Sequence, residues 1–235
     1  PLFDNLENTD RAPRGFVSCT TGKYAGGGGF TPGDWRVIDL CSPNHFYATN
    51  CMKTSDGRWI LWGMNLGGGS PGHHWTTHLS LPRVLTLRPD GRLGQEPPAE
   101  LRELRRTHWS ERDLALDGAH VLGVRSTAFE VIAEIEIGNA AKVGLDVRAS
   151  DDFATRSRIA LDADQGRLEA DSYSASFALQ PGEDTLRLHA FVDRCIVECF
   201  VNGRECATFR AYQDVGHAAM RLFSEGGEAR VRSVD

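Results

Sequence analysis

Residues Leu186 to Gly203 read LRLHAFVDRCIVECFVNG, two runs of strand-forming residues joined by a tight turn. Leu186, Leu188, Ala190 and Val192 alternate with Arg187, His189 and Phe191. That period of two marks a half-buried strand, because successive side chains point to opposite faces. Asp193-Arg194 is the expected turn into the second run, and the alternation places Glu198 on the solvent face. Asn202-Gly203 closes the second run and supplies the positive-φ pair that a two-residue hairpin loop requires.

The same pattern extends outward from this hairpin. Phe129, Val131, Ala133, Ile135 and Ile137 interleave with Glu130, Glu134 and Glu136. Val143, Leu145 and Val147, then Ile159 with Leu161, and Met220 with Leu222 repeat it. Short strands at this spacing, without helical periodicity, predict an antiparallel β-sandwich over 109–235. Residues 97 to 106, PPAELRELRR, predict a short helix with Pro98 in its first turn, within a linker over 96–108. Leu101 and Leu104 are expected to pack and its arginines to face water. Residues 1–95 hold short strands among Gly-rich turns at Gly26 to Gly29, Gly67 to Gly69 and Pro71-Gly72. Trp59 to Trp62 and Leu79 to Leu81 read as strands, with Asp56-Gly57 as a hairpin turn. That texture suits propeller blades or a barrel. The expected fold class is therefore all-β throughout.

Composition narrows the function classes. The 235 residues carry a net charge of −6, with 40% hydrophobic and 25% charged residues. No basic footprint points to nucleic acid. No apolar run approaches the roughly 20 residues that span a bilayer, so no membrane partner is expected. The cysteines at 19, 41, 51, 195, 199 and 206 form no C-x-x-C pair. Cys195 and Cys199 on one strand lie about 13 Å apart, too far for a disulfide. Buried free thiols are the expectation.

The hairpin wording is similar to "FVDRSSVEVFVNGG" in the C-terminal sandwich of glycoside hydrolase family 32. A second, ordered set of matches runs through the middle of the chain. Trp75 to Leu87, WTTHLSLPRVLTL, resembles the family's "W-x-G-x-L-S-L-P-R-E-L-T-L", and Asp90-Gly91-Arg92-Leu93 with Gln95 resembles "DGRLLQRPV". Glu100-Leu101 and Leu104-Arg105 resemble its "ELxxLR" linker. Phe46-Tyr47-Ala48 matches "DFYA", and Asp56 to Gly63 matches "GRRILWGWM". The resemblance covers roughly residues 24 to 233. It implies the last blades of a five-bladed propeller followed by the sandwich, and a hydrolase of terminal β-fructofuranosides such as sucrose or fructans, working without a cofactor.

The resemblance also implies a substrate-facing set: Asp39, by its spacing in "LDxGxDFYA", with His45, Tyr47 and Met64. His45 stands where the family has Asp, and Met64 where it has a second Trp. Met64 still offers a soft apolar face, but it cannot donate a hydrogen bond as an indole does. By its local sequence alone, Asp39 reads first as a turn cap, the commoner role of an Asp at a turn before a strand.

The catalytic strings implied by the resemblance, "WMNDPNG", "RDP" and "ECP", do not occur here. A retaining glycosidase needs a carboxylate nucleophile and a second carboxyl as acid/base, about 5–5.5 Å apart. Both are expected upstream of Pro1, where Pro1-Leu2-Phe3 resembles the tail of "ECPDLF". The chain alone is thus expected to be inactive, and to need the missing N-terminal blades as its partner. Open blade edges are expected to make it poorly soluble. Glu198-Cys199 and Glu205-Cys206 spell Glu-Cys without the following Pro and read as structural. His73, His74 and His78 lie in a Gly/Pro-rich stretch without the spacing of a metal site. Two further readings stand beside this one: a non-catalytic carbohydrate-binding sandwich, and a diverged family member acting on another glycoside. The family occurs both inside and outside cells, so no compartment is implied.

Overall fold

The structure is a computed structural model describing residues 16–42, 45–66 and 77–235. The expectations placed on Pro1 to Phe3, Gly67 to Gly69, Pro71-Gly72, His73, His74 and Trp75-Thr76 lie outside those residues. The chain divides into two compact units, one running to Leu101 and including Gly203–Thr208, the other Arg102–Asn202 with Phe209–Asp235.

In the first unit, β1 (Ser18–Ala25) and β2 (Gly29–Val37) form an antiparallel hairpin that sets Tyr24 opposite Phe30. Gly26 to Gly28 form its turn, and Gly29 opens β2 opposite Ala25. A second antiparallel sheet holds β3 (Tyr47–Lys53), β4 (Trp59–Asn65), β6 (Arg83–Leu87) and β7 (Leu93–Glu96) in that order. The short β5 (His78–Leu79) pairs with the end of β4. Asp56-Gly57 makes the β3–β4 turn, where Gly57 N donates to Thr54 O at 3.0 Å. Val17, Ile38, Phe46, Leu61 and Leu85 form the core beneath this sheet.

The linker differs from expectation. Ala99–Leu104 is a 3-10 helix with no buried residue, and Leu104 is 67% exposed. In a 3-10 turn residues i and i+3 eclipse, so Leu101 and Leu104 share one edge, and that edge opens to solvent at Leu104. The expected packing of Leu104 is absent, while Arg102, Arg105 and Arg106 do face water.

The second unit contains β8 (Glu111–Val121), β9 (Ala128–Glu136), β10 (Lys142–Ala149), β11 (Ser157–Asp162), β12 (Arg167–Ala170), β13 (Tyr173–Ser176), β14 (Thr185–Asp193), β15 (Ile196–Val201) and β17 (Ala219–Val234). Between the last two, β16 (Glu205–Arg210) starts among the residues grouped with the first unit. The first part of β17, Ala219 to Glu225, pairs with β10, whereas Arg230 to Val234 pair with β9. β8 follows β17 along both parts, with a register break between Phe223 and Glu228. A strand that changes partners at a break is how one continuous ladder folds into two facing layers. One layer runs β13-β12-β11-β10-β17 and the other β17-β9-β14-β15. Val131, Ala133, Ile135, Leu186, Leu188, Val143, Leu145, Ile159, Leu161 and Leu222 are all buried.

The deciding hairpin forms as β14–β15, with Asp193 opposite Ile196. Its loop is therefore Arg194-Cys195, one residue beyond the expected position, and Arg194 carries φ +54°. Asn202 (φ +50°) and Gly203 (φ +61°) make the next turn with the expected positive-φ pair. Two alternation expectations fail. Glu198 is 4% exposed and His189 only 9%, because β15 is buried on both faces and the His189 ring packs against Phe191 and Phe200, whereas a strict period of two assumes one wet face. Among the described residues, no helix is long and apolar enough to cross a membrane.

Candidate functional site

The end of the blade where β3 begins and β4 finishes gathers three of the four residues singled out for substrate contact. Tyr47 lies opposite Met64 in the β3–β4 register, and a bulge follows between Tyr47 and Asn50, with Ala48 at φ +45°. Bulges re-aim side chains and recur beside functional sites. Met64 in turn faces the exposed Leu79, and Asn65 faces His78. His45 Nδ1 stands 3.4 Å from Asn65 Oδ1. His45, Tyr47 and Met64 are each half-buried.

The local packing explains why this end is rigid. Gly63 presses its backbone onto the Phe46 ring, so that a Cβ there would sit 2.3 Å from Phe46 Cε2. Ser80 holds the opposite side. Its amide donates to Gly63 O at 2.8 Å, and its hydroxyl accepts from Gly63 N at 3.0 Å. Ser42 Oγ donates to Phe46 O and accepts from Val17 N. The strand ends therefore cannot slide without breaking several buried hydrogen bonds.

Asp39 lies apart from this group. Its Oδ2 accepts from Arg83 Nη2 at 2.8 Å and from Thr208 Oγ1 at 2.9 Å. Its Oδ1 accepts from the amides of Cys41 at 2.9 Å and Thr208 at 3.2 Å. The bond to Cys41, two residues on, is an Asx-type cap. Arg83 also donates to Gln95 Oε1 and stacks 3.8 Å above the Phe46 ring. Asp39 is thus the hub of a buried network. With four hydrogen bonds from protein donors, its carboxylate is not offered as a nucleophile.

The sequence pointed to His78 only as a loop histidine and to Gln95 only as part of a motif, and did not point to Asn65 or Thr208. Asn65 had a discoverable signal, since it adjoins a quoted motif, and His78 lies within one. Thr208 had none, being 169 residues from Asp39.

Chemically, the blade end offers hydrogen-bonding groups at His45, Asn65 and Tyr47 beside the soft apolar surface of Met64. That mixture suits a polyhydroxylated ligand. Among the described residues no group of three His, Cys, Asp or Glu could hold a metal ion. All six cysteines are free thiols. Burial pushes the Cys19 thiol up to about 11 and that of Cys199 up to about 12, so neither forms a thiolate near neutral pH.

Comparison with known proteins bears on both units. The model for the C-terminal domain of glycosyl hydrolases family 32 matches residues 100–235. The chain is 28% identical over 217 residues to a levanase of Bacillus subtilis, covering 80% of this chain and 32% of that protein. It is 29% identical over 196 residues to a raffinose invertase of Escherichia coli, covering 78% of this chain and 40% of that one. The chain therefore spans about a third to two-fifths of the length of these relatives. Among solved structures, an exo-inulinase from Aspergillus awamori superposes with a TM-score of 0.78 at 20% identity, over 95% of this chain and 51% of that one. The fructan 1-exohydrolase IIa of Cichorium intybus gives 0.71 at 19% identity, over 85% of this chain and 48% of that one. At those identities the superpositions establish the fold alone.

Proposed function

The chain belongs to glycoside hydrolase family 32, and from that premise we propose that it is the C-terminal portion of a retaining hydrolase of terminal β-fructofuranosides. In this reading residues 1–95 are the last propeller blades, 96–108 the linker and 109–235 the sandwich. The substrates are sucrose or fructans, in keeping with relatives named levanase and raffinose invertase.

The observation that carries the reading is the blade end. His45 and Tyr47, two residues apart, meet Met64, 17 residues further on, where β3 begins and β4 ends. These side chains hold and orient the sugar: Met64 and the Tyr47 ring through apolar contact, His45 through a hydrogen bond to a hydroxyl. Asp39 works from behind, fixing Arg83 under Phe46 rather than touching the sugar. The carboxylate nucleophile and the acid/base belong to blades outside residues 1–235. There, one carboxylate attacks the anomeric carbon to give a fructosyl-enzyme. The other protonates the leaving oxygen and then activates water.

The test is fructose release from sucrose and from a fructan by the protein made from its native open reading frame. Tyr47→Ala should raise KM and lower kcat/KM by about tenfold or more, the scale of one lost polar contact plus lost packing. Unchanged kinetics in Tyr47→Ala and in Met64→Ala would remove the blade end from the sugar site.

A further inference from the structure

The sandwich carries a second concentration of functional-type side chains, on the outer face of the β13-β12-β11-β10-β17 layer. Asp146, at the centre of β10, stands opposite Arg158 on β11 and Arg221 on β17. Its side chain is 0% exposed, while those of Arg158 and Arg221 are 21% exposed and that of Arg156 is 34% exposed. Asp146 Oδ1 accepts from Arg158 Nε at 2.7 Å, and Oδ2 from Arg221 Nε at 2.8 Å and Arg158 Nη2 at 3.1 Å. Arg156 Nε lies 3.3 Å from Oδ2. Glu225 accepts from Arg158 Nη1 at 2.8 Å. Three guanidinium groups thus share two carboxylates, and positive charge is left over.

The geometry of that excess is specific. A guanidinium has two edges that can form a bidentate fork. Asp146 occupies the Nε side of Arg221, and among the described residues nothing accepts from its Nη1 and Nη2. Arg156 spends Nη1 on Phe153 O at 2.9 Å, and its Nη2 has no acceptor among the described residues. Arg221 lies over the Phe153 ring at 4.4 Å and Arg158 over Phe223 at 3.8 Å, which fixes both guanidinium planes. Phe153 holds this position at φ +58°, and nearby Arg148 sits at φ +51°. Arg148 donates to the carbonyls of His217 and Asp214, bracing the segment that leads into β17. Backbone strain in bulky residues persists only where surrounding structure over-determines it, and it gathers at ligand clamps.

We propose that Arg156 and Arg221, oriented by Asp146 and backed by Arg158, form a binding site for a tetrahedral oxyanion, a phosphate group either free or borne on a sugar. The buried carboxylate aligns the guanidinium groups, and their outward N–H edges receive the anion oxygens. The site belongs wholly to the sandwich and does not depend on the fructoside reading.

The test is calorimetric titration of the full chain with inorganic phosphate at low ionic strength. Saturable binding is expected, weakening as sodium chloride is added. Arg221→Gln and Arg156→Gln should each weaken it about tenfold, the scale of a lost charge-assisted hydrogen bond. Arg232→Gln, on the other layer, should leave it unchanged. Arg156 is the more exposed of the two, so its variant decides the matter if Arg221→Gln does not fold by circular dichroism. Tighter binding of glucose 6-phosphate than of inorganic phosphate assigns the site to a phosphate ester, and the reverse assigns it to the free anion. Absence of saturable uptake, or uptake equal in the wild type and both variants, overturns the proposal.

Discussion

Arg83 Nη2 lies 2.8 Å from Asp39 Oδ2, and the two side chains are 1% and 0% exposed. A buried ion pair gives little net stability relative to apolar residues, but removing one partner strands a charge at a cost of about 3–5 kcal/mol. Arg83→Met should therefore lower unfolding stability by that amount in a urea titration. The double variant Asp39→Asn, Arg83→Met should lose less than the sum of the two single losses. Additive losses would mean the pair is not coupled.

Gly63 tests the rigidity of the blade end. Its missing Cβ would meet Phe46 Cε2 at 2.3 Å, and Phe46 is itself clamped by Arg83. Gly63→Ala should cost about 1–3 kcal/mol, the usual penalty for overpacking. A thermal midpoint equal to that of the wild type would show that Phe46 yields freely.

The sandwich has a pH-sensitive contact. His189 Nε2 lies 2.7 Å from Glu130 Oε1, and Arg105 grips the same carboxylate at 2.6 and 2.7 Å. Burial pulls the His189 imidazole below its ordinary value, against the pull of Glu130. Burial raises the Glu130 carboxyl, but the bonds from Arg105 and His189 outweigh it and hold that carboxyl low. Both groups then bind protons more readily in the unfolded chain, so both make stability fall on acidification. His189 acts as pH drops through the ordinary histidine range near 6.5, and Glu130 acts below the ordinary glutamate value near 4.3. Denaturant midpoints measured from pH 7 to 4 should decline, and His189→Gln should flatten the upper part of that decline. A slope unchanged by His189→Gln contradicts the assignment.

Glu205 has the opposite sign. Burial raises its carboxyl, offset in part by Arg204, Arg36 and Arg92. A folded value above the unfolded one means the ionised side chain disfavours the fold, and stability is gained as pH falls through the folded value. Glu205→Gln should accordingly raise the thermal midpoint at pH 7, with the gain shrinking as pH falls through the raised folded value and gone by the ordinary glutamate value near 4.3. A lowered midpoint at pH 7 would show that its arginine neighbours matter more than its burial.

Much of this architecture is legible in local sequence, and the reasons are physical. Alternating runs such as Val143, Leu145 and Val147 report burial directly, since each side chain's face follows from its parity. Asn202-Gly203 reports its turn because few other pairs tolerate two positive φ values. Glu198 was misplaced because parity says which face a residue takes, not whether that face is wet. Of the Asp39 network only the cap on Cys41 is legible locally. Arg83 is 44 residues from Asp39 and 125 from Thr208, and nothing in a local window links them. The arginine cluster on Asp146 escaped for the same reason: its members come from three strands and the loop before β11, and each strand reads merely as polar on one face.

The central claim is that the chain supplies a sugar-facing blade end and a sandwich to a fructosidase whose carboxylates lie elsewhere. The most direct measurement compares fructose release from sucrose and from a fructan by the purified 235-residue chain and by the protein made from its native open reading frame. The account predicts none above background for the chain and measurable release for the native product. Release by the chain alone, or none by the native product, would contradict it.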